Sequence, residues 1–148
     1  MGPVNAPRPR LLGPALLVAA GSAVGTLARA GIGSAVPAGA GHWPWATFGV
    51  NILGSLFLGA LLEALSLAGK DTGWRRRVRL GLGTGVLGGF TTYSTYVLEV
   101  DRLTGTGYPT IAAVYAVASI AAGIAAAGLG VAAVSAVAHR AGRGRRCP

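Results

Sequence analysis

Acidic side chains are nearly absent from this chain: four Asp and Glu stand against thirteen Lys and Arg in 148 residues. None of the four has a clear midplane position in an apolar stretch, which argues against a proton-coupled carrier, because an intramembrane carboxylate is the usual mark of one. Cysteine is scarcer still. Cys147 stands alone, so no intrachain disulfide is possible, and its place in a basic tail gives it no metal partners. His42 and His139 are most simply loop and tail residues. Charge of either sign is missing from four long stretches, residues 11–28, 30–62, 80–98 and 103–138. No soluble domain of this size tolerates that distribution, and each stretch is long enough for one membrane crossing of about 20 residues.

The composition therefore predicts an all-α integral membrane protein with four transmembrane helices, a single membrane domain over residues 11–138 and basic tails at 1–10 and 139–148. The second and fourth stretches exceed one span, so each must also supply a loop. Pro37, Gly39, Gly41 and Pro44 break helices, which starts the second crossing near Trp45 or Thr47 and carries it to about Leu67. Residues 104–109 read as a turn, leaving about 110–138 for the last helix. Trp43, Trp45, Trp74 and Tyr108 fall at predicted ends of crossings, where amphipathic rings favour the interface. A cleavable signal peptide competes for the first stretch, because Arg8 and Arg10 precede an apolar run; the run is too long for a usual signal core.

The positive charge does not point to nucleic acid, since the basic residues flank apolar spans rather than gathering on one folded face. Arg8 and Arg10, then Lys70, Arg75, Arg76, Arg77 and Arg79, then Arg140, Arg143, Arg145 and Arg146 fall on one side. Arg29 and Arg102 fall on the other. The positive-inside rule places both termini and the middle loop in the cytoplasm.

The third stretch is a poor helix. Five of the nine residues 81–89 are glycine, each costing about 1 kcal/mol in a helix relative to alanine. A break is expected near 88–92, and non-helical backbone at membrane depth is tolerated only where it packs in protein or lines a wet cavity. Glycine could serve close helix packing alone, but Thr91, Thr92, Tyr93, Ser94, Thr95 and Tyr96 add six polar side chains at the same depth, and each needs a partner. Residues 83–88 match the G-x-G-x-x-G dinucleotide pattern, a false positive without the strand and βαβ unit that it requires.

On the second crossing Thr47, Asn51 and Ser55 share one face, and Asn51 either bonds a neighbouring helix or lines a pathway. On the fourth, Tyr115 and Ser119 repeat the spacing, and Gly123 ends it without a side chain. Arg29 either snorkels to the interface or draws anions to a vestibule.

Together these residues resemble the Fluc/CrcB family of small bacterial fluoride channels. The run from Gly88 to Tyr96 with Glu99 is similar to the signature G-G-x-T-T-F-S-T-F-x-x-E of that family's broken third helix. Residues 47–55 resemble its T-x-x-x-N-x-x-G-S block, and Gly21, Gly25 and Arg29 its G-G-x-x-G-x-x-x-R block, with Ser22 replacing one glycine. The resemblance implies an antiparallel dimer of four-helix subunits that conducts fluoride passively through two narrow paths, without enzyme chemistry. It implies a structural sodium ion held by the carbonyls of Gly88 and Thr91. It also implies a fluoride path along Asn51, Tyr115 and Ser119, with Thr95 of the hydroxyl cluster and the aromatic pair beside it and Arg29 near a vestibule. Tyr93 and Tyr96 stand where the signature has phenylalanine. A phenyl edge can face an anion, and the added hydroxyl either solvates fluoride or narrows the path.

Eleven basic residues against two are too unequal for a chain that inserts in both orientations. A single orientation and a homologous partner of opposite bias are therefore expected, with a homodimer as the alternative. Two other functions compete. A small multidrug-type transporter would need the missing midplane carboxylate, and a packing scaffold would leave Asn51 and the hydroxyl cluster without a purpose.

Overall fold

A computed structural model describes residues 11–144. The basic residues Arg8 and Arg10 and the tail from Arg145 through Cys147, on which part of the charge count rests, lie outside the described residues. Every regular element among the described residues is helical: α1 (Leu12–Ala35), α2 (Trp45–Leu67), α3 (Gly73–Val78), a π-helical stretch (Arg79–Leu87), α4 (Gly88–Phe90), α5 (Ser94–Gly105) and α6 (Pro109–Gly144).

Three of these, α1, α2 and residues 109–141 of α6, are long and apolar enough to cross a membrane. Only 6%, 17% and 11% of the residues in their apolar windows are buried within the chain, so these helices present their apolar surface outward instead of hiding it in a core. Leu12, Leu27, Val117 and Ile124 are among the exposed apolar side chains. Water would oppose such a surface at roughly 25 cal/mol per Å², and lipid does not. The chain is a multi-pass helical membrane protein.

The helix ends follow local chemistry. Pro109 opens α6, where its missing N–H costs nothing. The turn before it is closed by Gly107 at φ +90, with Gly107 N donating to Thr104 O at 3.2 Å and Tyr108 N to Leu103 O at 2.8 Å, the pair of bonds that a glycine in the left-handed region allows at a helix end. The non-helical turn is thus shorter than 104–109, because α5 continues to Gly105. Two further boundaries move outward. Helix α1 runs on to Ala35 and α6 to Gly144, so Arg29 lies within α1, six residues before its end.

Residues 73–105 form no single helix. Gly81, Gly83 and Gly85 are buried in the π-helical stretch, and α1 packs on it backbone to backbone. A Cβ on Gly21 would collide with the carbonyl oxygen of Gly81, and one on Gly25 with that of Val86. Helix α6 meets α2 in the same manner, with Gly59 against the Ala127 carbonyl and Gly130 against the Leu56 carbonyl. After Phe90 the chain leaves the helical region: Thr91 has φ −76 and ψ 158, and helix resumes at Ser94.

Candidate ion pathway

The non-helical residues 91–93 leave donors and acceptors that a continuous helix would have paired. The N–H of Thr92 donates instead to Asn51 Oδ1 at 2.8 Å, and Asn51 Nδ2 donates back to the Thr92 carbonyl at 2.9 Å. One amide side chain from α2 thus satisfies both backbone groups of one residue. The N–H of Thr95 donates to Thr92 Oγ1 at 3.1 Å. With these two N–H groups drawn away, no hydrogen bond among the described residues ends on the carbonyls of Gly88 or Thr91.

Helix α1 supplies donors from its facing side. Ser22 Oγ donates to Gly85 O at 3.4 Å, Thr26 Oγ1 to Gly89 O at 3.4 Å and Arg29 Nε to Gly89 O at 3.3 Å. A second Arg29 nitrogen, Nη1, donates to Thr95 Oγ1 at 3.3 Å. Arg29 therefore turns inward onto the break.

Around the opening, Asn51, Ser55, Thr91, Thr92, Tyr93, Tyr96 and Ser119 line one cavity of about 300 Å³. Ser119 Oγ is buried without a partner; Trp43 Nε1 is the other such side-chain atom among the described residues. Tyr96 does not send its hydroxyl into this space. It donates to the Ala116 carbonyl at 3.1 Å, while Tyr93 is 79% exposed. The ring centroids of Tyr93 and Tyr96 are 5.9 Å apart, those of Tyr96 and Tyr115 5.6 Å, and those of Tyr115 and Trp43 5.3 Å, all within the range of favourable aromatic contact.

Tyr115 lies apart from the cavity of Asn51. It is fully buried, and its hydroxyl donates to Glu99 Oε2 at 2.7 Å while Thr47 Oγ1 donates to Glu99 Oε1 at 2.7 Å. Glu99 was legible only as the last letter of the signature; its place between α2 and α6 depends on tertiary packing. A second cavity of about 490 Å³ is lined by Thr47, Thr95, Glu99 and Arg102 beneath the α1–α2 loop. At the far end of the bundle Ser135 Oγ donates to Glu63 Oε1 at 2.6 Å, a pairing that the sequence did not suggest. Among the described residues no group of three His, Cys, Asp or Glu side chains could hold a metal.

Fold and site together define a multi-pass helical membrane protein with a hydroxyl-lined interruption at 91–93. The chain belongs to the CrcB-like family, described as "CrcB-like protein, Camphor Resistance (CrcB)", whose sequence profile matches residues 16–131. It is similar to Fluoride-specific ion channel FluC 1 of Cutibacterium acnes, with 44% identity over 130 residues covering 88% of this chain and 89% of the relative. It is also similar to Fluoride-specific ion channel FluC 2 of Leifsonia xyli, 46% identical over 127 residues, 86% of this chain and 87% of the relative. A third relative, Fluoride-specific ion channel FluC of Hyphomonas neptunium, is 43% identical over 120 residues, 78% of this chain and 91% of that protein.

Proposed function

We propose that this chain is one half of a dimeric, fluoride-selective passive channel that lowers cytoplasmic fluoride. The observation that carries this reading is the cavity shared by Asn51, Ser55, Thr92 and Ser119, with the Ser119 hydroxyl buried and unpartnered. Fluoride is small and strongly hydrated, so a path for it must replace water with closely placed donors. The similarity to fluoride-specific channels over most of the chain supplies the identity of the ion. Hydrogen fluoride enters cells as a neutral acid and dissociates in the more alkaline cytoplasm, and a passive path lets the trapped anion leave down its gradient.

In this reading residues 73–105 are the third of four crossings, broken at 91–93. Dimerisation is supported by what that break exposes. Gly88, Tyr93 and Ser94 are exposed in the single chain, beside carbonyls that accept no hydrogen bond. At membrane depth such backbone must be covered by protein or open onto water, and an antiparallel second subunit would cover it. The carbonyls of Gly88 and Thr91 suit a hard monovalent cation, because their helical donors have been diverted to Asn51 and Thr92. A sodium ion there would be held by main-chain oxygens; the chain's part is to keep them free of helical donors.

The ion path would run past Asn51, Ser119, Tyr93 and Tyr96, with Thr95 and Arg29 at one mouth and Tyr115 holding Glu99. The excess of basic residues on one side supports cytoplasmic termini and a partner of opposite bias. Fluoride efflux from liposomes tests the whole reading, using the chain alone and the chain mixed with an oppositely biased homologue. Efflux from the mixture alone is the expected result. Efflux from the chain alone would replace the heterodimer by a homodimer, and efflux from neither would remove the channel reading.

A further inference from the structure

Arg29 bonds to both sides of the break. Its Nε donates to the Gly89 carbonyl before residues 91–93, and its Nη1 to the Thr95 hydroxyl after them. Thr95 Oγ1 also accepts from Thr92 Oγ1 at 3.1 Å. A hydroxyl has two lone pairs and one proton, so these two bonds leave Thr95 with only its proton to offer. A helical threonine commonly gives that proton to the carbonyl four residues back, which here is that of Thr91, and no such bond is present among the described residues. Thr95 lines the cavity of about 490 Å³ with Thr47, Glu99 and Arg102. The carboxylate of Glu99 is held to the wall there by Thr47 and Tyr115.

From this geometry we propose that Arg29 is a positioning residue, which staples the two sides of the break and fills the lone pairs of Thr95 so that the Thr95 hydroxyl donates its proton to fluoride in the adjoining cavity. The proposal rests on the fluoride reading. It differs from attraction of anions by charge, because it requires the fork of the guanidinium. Lysine keeps the charge but is a single point donor on a flexible stem, and it cannot hold the Gly89 carbonyl and the Thr95 hydroxyl together.

Fluoride efflux from liposomes is compared for the wild type, Arg29→Lys, Arg29→Gln, Thr95→Val, Thr95→Ser and the double variant Arg29→Lys/Thr95→Val. Each is measured in the assembly that conducts, with the assembled fraction read by size exclusion. Arg29→Lys and Thr95→Val are each expected to lower flux about tenfold. Thr95→Ser should restore it, and the double variant should be no slower than the slower single variant, since both changes act through one hydroxyl. Wild-type flux in Arg29→Lys with loss in Arg29→Gln would show that charge suffices and overturn the proposal. A double variant whose losses multiply would do the same. Should the Arg29 variants fail to assemble, the threonine pair decides: equal flux from Thr95→Ser and Thr95→Val overturns it. An inactive wild type counts against the fluoride reading instead.

Discussion

Helix α1 on the π-helical stretch and the cluster around Tyr115, where α5 and the start of α2 meet α6, are two differently built contacts within one bundle. On the α1 side the backbones touch: glycines leave no room for a Cβ, and Ser22, Thr26 and Arg29 reach over to bond carbonyls. Around Tyr115 side chains do the packing, with Trp43, Phe48 and Tyr96 about it and Glu99 bonded between Thr47 and Tyr115. The first contact decides where carbonyls point, and the second where hydroxyls point.

The difference can be broken most severely at Gly25, where an added Cβ meets the Val86 carbonyl and then the Phe90 N at 2.7 Å. Gly25→Val should abolish assembled protein on size exclusion, since overpacking against backbone costs about 1–3 kcal/mol or more. Gly31→Ala on the same helix meets nothing within 4 Å and should assemble as the wild type does. Next in size is Asn51→Leu, which removes the partner of both Thr92 backbone groups and should lower stability by about 2–5 kcal/mol, read as a lowered Tm in detergent, with loss of flux. On the side-chain contact Tyr115→Phe strips one bond from Glu99 and should cost about 1–3 kcal/mol. Ser119→Ala removes a hydroxyl that has no partner, so its Tm should hold while flux falls.

The smallest effect is expected outside both contacts, at the exposed ion pair in which Arg79 Nη2 lies 2.7 Å from Asp71 Oδ2. Its hydrogen bond with Arg79 holds the Asp71 carboxyl below the usual carboxylate range. A lowered folded value means that the stabilisation is complete above the ordinary aspartate pKa and fades as pH falls through the folded one. Screening by water makes it small, and Asp71→Asn should leave Tm unchanged at neutral pH within error.

Much of this arrangement was legible in the sequence because apolar length, glycine density and helix breakers act locally. Trp45 to Leu67 emerged as α2 at both ends, and the glycines of 81–89 announced that no ordinary helix could form there. The break itself falls at 91–93, at the late edge of the expected range, because Asn51 from another helix sets which N–H is captured. That is a tertiary event. The extension of α1 past Arg29 had the same origin: a charge reads as the end of an apolar span until its partners, Gly89 and Thr95, are known to lie within reach. Glu63 with Ser135 and Glu99 with Tyr115 are separated by 72 and 16 residues, and nothing local foretells either pair.

The two tyrosines at the signature's phenylalanine positions have been given opposite settings. Tyr96 lends its proton to a peptide oxygen of α6, and what it turns elsewhere is a hydrocarbon ring little different from phenylalanine. Tyr93 has no such creditor among the described residues, and its side chain stands exposed. One letter of the alphabet, written twice three residues apart, is therefore silent in one place and audible in the other.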